Sequence, residues 1–302
     1  MRIFITGASG YAGYYAALRL ANAGHHVTGL VRHPEQPRLN TLRIQEVNLI
    51  RGDVFEPETY RSELERNDVV IHTMLDKKRA LDTDRALFAA LRSLPPRSPR
   101  LRFIYTTGSS IFGKLPILVM DETVEPDPKH ALAFRRTLEK EALALDGIDT
   151  VVLRPGFMYG HDAYNCAAGD WFALAEKGDV AFRGDRERGW SWIHIADLAE
   201  AYQLVAEADS RVVAHEVFHL ADELRPKSLD VMRACVAAAG YRGEIRFEEP
   251  REGENLSSWF NQNEFITSQK ARDRLGWRPR HAGVMDSVEQ IYASWKAWRS
   301  AT

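Results

Sequence analysis

Short runs of apolar, β-branched residues alternate with longer segments of helical apolar spacing along the first half of the chain. This alternation is typical of a parallel sheet, because each crossover must return the chain to the same edge. The predicted strands are 3–6, 27–31, 49–52, 69–72, 102–106 and 150–153. The predicted helices are 13–23, 59–65, 82–94 and 131–145. The pattern therefore predicts a doubly wound α/β sheet.

The second half is less regular from residue 154 onward, and Trp, Gly and charged residues crowd the stretch 170–192. A strand and helix signal at 192–206 and a strand signal at 217–220 are expected to return to the sheet, and 284–298 has helical spacing. The sequence therefore predicts a sheet domain and a second, smaller mixed domain that would bind the substrate. The sheet domain would comprise 1–155 and 191–220, and the smaller domain 156–190 and 221–302.

Composition excludes several classes of protein. A chain of 302 residues with 45% hydrophobic positions buries a sizeable core, which excludes disorder. A formal net charge of -2 supplies no positive field for nucleic acid or membranes, so we expect a small-molecule substrate as partner. No signal peptide or membrane span is recognisable, which predicts a cytoplasmic protein, and a homodimer remains open.

The only two cysteines, Cys166 and Cys235, have no metal-site spacing, and we predict no bound metal. The candidate chemistry lies instead in the turn Thr6-Gly7-Ala8-Ser9-Gly10-Tyr11-Ala12-Gly13, between the first strand and the first helix. Gly7 permits a tight turn, Gly10 lets the backbone approach a pyrophosphate, and Gly13 lets the helix pack closely on the strand. The amides and dipole at the helix start favour anionic phosphates, so the turn predicts dinucleotide binding.

The end of the second predicted strand indicates which dinucleotide binds. An acidic side chain there would accept hydrogen bonds from the adenosine ribose of NAD. The sequence has Leu30-Val31-Arg32-His33 instead. Because Arg32 can form charge-assisted contacts with a 2'-phosphate, NADP is favoured, with NAD as the alternative.

Several motifs together resemble an extended short-chain dehydrogenase/reductase of the NAD-dependent epimerase/dehydratase family, over nearly the whole chain. Besides the glycine turn, they are Gly52-Asp53-Val54, Asp68-Val69-Val70-Ile71-His72, Leu153-Arg154-Pro155-Gly156-Phe157-Met158-Tyr159-Gly160, Trp192-Ile193-His194-Ile195-Ala196-Asp197-Leu198-Ala199 and Leu275-Gly276-Trp277-Arg278-Pro279. The resemblance implies a Rossmann sheet. The glycine turn, Arg32 and this resemblance together give the predicted cofactor-binding residues. They are Gly7, Ser9, Gly10, Tyr11, Ala12, Gly13, Arg32, Asp53, Val54, Met74, Thr106 and Pro155.

The catalytic positions depart from the family pattern. In the family, the helix before residue 150 carries a Tyr-x-x-x-Lys motif. One alignment of the motif places Ala131 and Arg135 at the tyrosine and lysine positions, and the other places Ala133 and Thr137 there. Arg135 could hold the cofactor ribose but is a poor proton shuttle, because it stays protonated. His130 lies beside the vacated tyrosine position. A literal Tyr292-x-x-x-Lys296 occurs on the C-terminal helix, where we interpret it as packing and solvation.

In the family, a Ser or Thr that helps bind the substrate oxygen lies five residues before a turn glycine, which corresponds to Gly113 here. The residue at that position in this chain is Gly108, which has no hydroxyl. Hydroxyls on both sides could replace it, so Thr107 and Ser109 are the predicted catalytic hydroxyls, together with Arg135. A polar strand end that satisfies local backbone groups is the alternative interpretation of this loop.

Trp190 occupies the position at which many nucleotide-sugar enzymes of the family carry an arginine, which disfavours a nucleotide sugar. Aromatic residues surround the predicted cleft, which indicates a hydrophobic or aromatic substrate, although packing of the smaller domain would produce the same pattern. The predicted substrate-binding residues are Ser110, Phe112, Phe157, Tyr159 and Trp190.

Two hypotheses for function follow. The first is an NADP-dependent oxidoreductase or epimerase that acts on a small carbonyl or hydroxyl compound. The second is a non-redox enzyme, or a cofactor-sensing binding protein, that retains the dinucleotide site but has lost the proton relay.

Overall fold

The structure is a computed structural model that describes residues 1–76, 78–248 and 262–301. In chain order its strands are β1 (Arg2–Thr6), β2 (His26–Val31), β3 (Asn48–Arg51), β4 (Val69–His72), β5 (Leu101–Thr106), β6 (Ile148–Pro155), β7 (Phe157–Tyr159), β8 (Ala181–Arg183), β9 (Trp192–His194), β10 (Val217–Leu220) and β11 (Arg246–Glu248). Seven of them form one sheet in the order β3-β2-β1-β4-β5-β6-β10. Every neighbouring pair in this sheet is parallel, so the predicted doubly wound α/β fold is confirmed.

Helices cover both faces of the sheet. In chain order they are α1 (Tyr11–Asn22), α2 (Asn40–Ile44), α3 (Arg61–Arg66), α4 (Ala80–Arg92), α5 (Phe134–Leu143), α6 (Ala167–Lys177), α7 (Ile195–Glu207), α8 (Ser210–Val213), α9 (Ser228–Ala238), α10 (Gln269–Leu275) and α11 (Val284–Ala301). In the described part of the chain, no helix has both the length and the apolar character needed to span a membrane.

The two faces of the sheet bury different residues because side chains alternate along each strand. Ile3 and Ile5 of β1 lie in a core that also contains residues of α1 and α7. Phe4, between them in sequence, lies in a second core with residues of α3, α4 and α5. Burial on both faces explains why the strands read as continuous apolar runs.

The predicted strands of the main sheet agree with the structure to within two residues, but the strand predicted at the start of 192–206 differs. β9 pairs with β7 in a separate two-stranded sheet, while α7 and β10 do return to the main sheet. The chain can leave the sheet after Pro155 because Gly156 has no side chain. A Cβ there would lie 2.6 Å from the carbonyl oxygen of Ser191, just before β9.

The second half is more helical than its pattern predicted. α6 and α9 were not predicted; they pack against each other, and α9 also packs against the C-terminal helix α11. β8 and β11 form a further two-stranded parallel sheet. The division into the two predicted domains stays a prediction.

Candidate functional site

The glycine-rich turn lies where β1 passes into α1, at the carboxyl end of the parallel strands. Gly7 has a φ of +79°, and its carbonyl accepts the Gly10 N–H at 2.9 Å. A Cβ at Gly13 would lie 2.3 Å from the Gly7 oxygen, whereas a Cβ at Gly10 would meet that oxygen alone, at 3.2 Å. Gly13 therefore lets the helix pack on the turn, and Gly10 keeps space open beside the first amides of α1. These features fit a pyrophosphate at the helix start.

A buried arginine that the sequence analysis missed supports this turn. Arg38 donates from Nη1 to the carbonyl of Ser9 at 2.7 Å and from Nη2 to Asp162 at 3.0 Å. Its guanidinium carbon lies 4.2 Å from the centre of the Tyr14 ring. Nothing in the local sequence distinguishes Arg38 from a solvated surface arginine, because its partners are distant in the chain.

Tyr11 and Ala12, the first residues of α1, are both buried. The Tyr11 hydroxyl donates to the Gly160 carbonyl at 2.5 Å, which joins the turn to the segment after β7. Burial raises the pKa of Tyr11 well above its usual value. Tyr11 is therefore neutral, and its hydroxyl proton is used in the hydrogen bond to Gly160.

Four of the predicted cofactor-binding residues come together in one cleft of about 300 Å³, the adenosine-end cleft. Its lining contains Arg32, Asp53, Val54 and Met74, together with Phe55, Leu75, Asp76, Lys78, Arg79 and Thr83. Three cations and two carboxylates therefore line a pocket of nucleoside size. Asp53 Oδ1 accepts the Phe55 N–H at 3.0 Å.

The hydroxyls that follow β5 have three different environments. Thr106 Oγ1 lies 2.7 Å from the Tyr202 hydroxyl, and Thr107 Oγ1 donates to Glu139 at 2.7 Å. Ser109 is 1% exposed, and its Oγ has no hydrogen-bond partner within the described residues. Its amide donates to the carbonyl of Pro155 at 2.9 Å, which places the hydroxyl beside the end of β6. The Ser109 hydroxyl is therefore both buried and without a partner among the described residues, in contrast to the hydroxyls of Thr106 and Thr107.

A buried ion pair holds Thr107 in place. Arg154 donates to both carboxylate oxygens of Glu139, at 2.8 and 2.5 Å, and both side chains are inaccessible to solvent. Arg154 Nη1 also lies 3.1 Å from His219 Nε2. Burial first, and then the charge of Arg154, lower the pKa of His219 well below its usual value, so the ring is neutral. The sequence analysis missed this network.

The region that precedes α5 has no phenol. Ala131 is exposed, Ala133 is half-buried, and α5 begins at Phe134. Arg135 reaches the main chain of the hydroxyl loop, with Nη1 3.5 Å from the carbonyl of Thr107. Of the predicted catalytic residues, Thr107 and Arg135 are therefore neighbours, and Ser109 follows two positions later in the same loop.

The predicted substrate residues divide by burial. Phe112, Tyr159 and Trp190 are almost inaccessible to solvent, whereas Ser110 and Phe157 are half-buried. The Phe157 ring stacks on Trp190 with centroids 3.8 Å apart, so these two aromatic residues form one unit. The Tyr159 hydroxyl donates to the Ala282 carbonyl at 2.8 Å, which fixes that side chain in the core.

The tyrosine and lysine of the literal Tyr-x-x-x-Lys lie on α11. Tyr292 packs on Phe172 of α6, with ring centroids 5.2 Å apart, and its hydroxyl donates to Glu176 at 3.4 Å. Lys296 is exposed. Both residues contact α6 or solvent, as the packing interpretation expects.

Comparison with known proteins agrees with this geometry. The model of the NAD-dependent epimerase/dehydratase family matches residues 3–221. The chain belongs to this family. The recognition of an extended short-chain dehydrogenase/reductase is therefore confirmed, and the chain is an enzyme of that type.

Individual relatives are distant. A 4-hydroxy-2-methyl-3-oxo-4-farnesyl-3,4-dihydroquinoline-1-oxide ketoreductase from Stigmatella aurantiaca is 28% identical over 342 residues, covering 96% of each chain. A UDP-glucose 4-epimerase from Neisseria meningitidis serogroup B is 22% identical, covering 98% of this chain and 96% of its own. The crystal structure of dTDP-glucose 4,6-dehydratase from Bacillus anthracis in complex with NAD has a TM-score of 0.83 and 15% identity, with complete coverage of both chains.

Proposed function

We propose that this enzyme is an NADP(H)-dependent oxidoreductase or epimerase that acts on a small, hydrophobic or aromatic carbonyl or hydroxyl compound. The observation that carries the cofactor choice is the adenosine-end cleft. Arg32, Lys78 and Arg79 line it together with Asp53 and Asp76; Arg79 forms a salt bridge with Asp76 at 3.6 Å, whereas Arg32 forms none with a carboxylate of the described residues. A 2'-phosphate would satisfy such a cation, whereas a ribose hydroxyl would not. NAD is the alternative, since the Bacillus anthracis dehydratase binds it.

At the nicotinamide end of the cofactor, three residues of the chain have different roles. When bound, the reduced nicotinamide supplies hydride from its C4. Ser109, whose hydroxyl lacks a described partner, orients the substrate oxygen. Arg135 holds the cofactor ribose, and Thr107 keeps the loop in place through Glu139.

The substrate class rests on the aromatic pair of Phe157 and Trp190. The half-buried Phe157 ring, stacked at 3.8 Å on the buried indole of Trp190, offers apolar contact and no charge for a diphosphate. The relative from Stigmatella aurantiaca is a ketoreductase of a 3-oxo-dihydroquinoline compound, which supports the same class.

Calorimetric titration with NADPH and NADH tests the cofactor assignment. We expect NADPH to bind at least about tenfold more tightly, and Arg32→Ala to remove that preference while NADH affinity stays unchanged. Arg211→Ala is the matched control, because Arg211 is an exposed arginine paired with Asp209 on α8. Equal affinities in the wild type would refute the NADP assignment.

NADPH oxidation in the presence of aromatic ketones, aldehydes and enones tests the reaction class. Turnover of one of these carbonyl compounds, rather than of nucleotide sugars, is the expected result. A protein that binds the dinucleotide but oxidises it with none of the carbonyl compounds would favour the non-redox alternative.

A further inference from the structure

A buried polar cluster lies beside the vacated tyrosine position, and the proposed function does not use it. Its members are Glu264, Gln262 and His130. The Gln262 Nε2 donates to Glu264 Oε1 at 2.5 Å and lies 3.1 Å from His130 Nε2. Glu264 is inaccessible to solvent, and its second oxygen, Oε2, has no hydrogen-bond partner within the described residues.

The main chain connects this cluster to the catalytic loop. The carbonyl of Glu264 accepts the Ser191 N–H at 3.0 Å, and the Ser191 carbonyl accepts the Phe157 N–H at 2.8 Å. The carbonyl of Pro155, two residues before Phe157, accepts the Ser109 N–H. Three main-chain hydrogen bonds, linked by short stretches of covalent backbone, therefore connect the segment of Glu264 to the loop that contains Ser109.

The side chains approach the same region from the other direction. His130 immediately precedes Ala131, one of the two candidate tyrosine positions, and its ring faces the main chain of Ile111. Gln262 bridges this ring to Glu264. Through His130, the cluster therefore contacts the segment that follows Ser110 and adjoins Ala131, one of the two candidate tyrosine positions.

We propose that Glu264 is the catalytic proton donor of this enzyme, replacing the absent tyrosine, with Gln262 and His130 positioning it. This inference rests on the proposed function. A carboxylic acid resembles a phenol in having one O–H to donate, and a buried carboxyl remains an acid near neutral pH. Because Oε2 has no described partner, turning it toward a substrate oxygen breaks no hydrogen bond at that atom.

The protonation state agrees with this role. Burial raises the pKa of Glu264 to about 8, against a smaller lowering by the Gln262 hydrogen bond. No charged group among the described residues contributes to this shift. Gln262 separates Glu264 from His130, whose pKa is lowered by burial and raised less by Asp127, so the ring stays neutral. Arg225 faces the adjacent Phe265, with its guanidinium carbon 5.8 Å from the ring centre.

In reduction, the substrate carbonyl carbon receives a hydride from the reduced nicotinamide dinucleotide, and the C=O π pair becomes a lone pair on oxygen. That oxygen takes the proton from Glu264 Oε2 and becomes a hydroxyl, which leaves Glu264 as a carboxylate. Water then returns a proton to Glu264. In the oxidative direction each transfer runs in reverse.

The test measures kcat for carbonyl reduction between pH 6 and 9 in the wild type, Glu264→Gln and the control Glu176→Gln, which alters a carboxyl on α6. We expect wild-type kcat to fall above about pH 8 and Glu264→Gln to lose roughly a hundredfold or more at pH 7, with unchanged NADPH affinity. Glu264→Asp should recover part of the rate. Infrared difference spectra of the wild type should contain a protonated-carboxyl band that disappears through the same pH range and is absent from Glu264→Gln.

A wild-type profile that is flat from pH 6 to 9, or an infrared spectrum without the titrating carboxyl, would overturn the proposal even if Glu264→Gln failed to fold. Full activity of Glu264→Gln would also overturn it, while carbonyl reduction by the wild type still supported the proposed function. If the wild type reduced no carbonyl compound, the proposed function and this role of Glu264 would fail together.

Discussion

The glycine turn contains two glycines whose substitution should have opposite consequences. A Cβ at Gly13 would lie 2.3 Å from the Gly7 oxygen and 2.6 Å from Thr73 Oγ1. The hydroxyl of Thr73 can rotate, but the carbonyl belongs to a turn fixed by the Gly10 N–H. At Gly10 the corresponding distance to the Gly7 oxygen is 3.2 Å, and φ is -78°, which any residue adopts.

We expect Gly13→Ala to destabilise the protein by about 2 kcal/mol. Overpacking against backbone costs up to about 3 kcal/mol, and alanine recovers about 1 kcal/mol through its better helix propensity. At roughly 2.1 cal/mol/K of unfolding entropy per residue, this loss lowers Tm by about 3 °C. Gly10→Ala should change Tm by less than about 1 °C, because it crowds only one atom, at a tolerable distance.

Dinucleotide binding should separate the variants in the opposite direction. The Cβ of Gly10→Ala occupies the space beside the first amides of α1, so we expect at least about a tenfold weaker affinity for NADPH. Differential scanning calorimetry and calorimetric titration of both variants provide the two measurements. A Gly13→Ala protein as stable as the wild type, or a Gly10→Ala protein that binds NADPH normally, would refute the respective role assigned to that glycine.

Three further predictions follow from the site and its surroundings. Ser109→Ala should reduce turnover by about a hundredfold at unchanged Tm. Thr107→Val should chiefly lower stability, by about 1 to 3 kcal/mol, because it removes a hydrogen bond to a buried carboxylate. Steady-state kinetics and thermal unfolding distinguish the two outcomes. Burial, and then the charges of two neighbouring histidines, lower the pKa of His194 to about 3. Below about pH 6.5 the unfolded chain therefore binds a proton that the folded protein does not, and folding stability falls as the pH drops. The wild type should therefore lose about 3 kcal/mol more than His194→Asn, which keeps a helix-capping acceptor, between pH 7 and 4.5 in urea titrations; equal losses would contradict this effect. Tyr292→Phe and Lys296→Met should leave turnover intact, and an inactive Tyr292→Phe would show that the catalytic centre is misplaced.

The nucleotide-binding half was predictable because its signals are local. A strand, a turn with three glycines and a helix occupy consecutive residues, and parallel strands buried on both faces appear as apolar runs whatever their neighbours are. The same local reading identified Arg32 at the end of β2 and the absence of a tyrosine before α5, since both depend only on position within an element.

The tertiary structure alone decided what each polar side chain does. The sequence alone gives no reason to prefer the hydroxyl of Thr107 or that of Ser109. In the structure Glu139, which is held by Arg154, accepts a hydrogen bond from Thr107. Gln262 and Glu264 carry no motif, and they become a candidate proton donor only because the chain returns beside His130, 132 residues earlier. Burial and partner choice depend on contacts between residues far apart in the chain, and such contacts leave no periodic pattern for a single sequence to reveal.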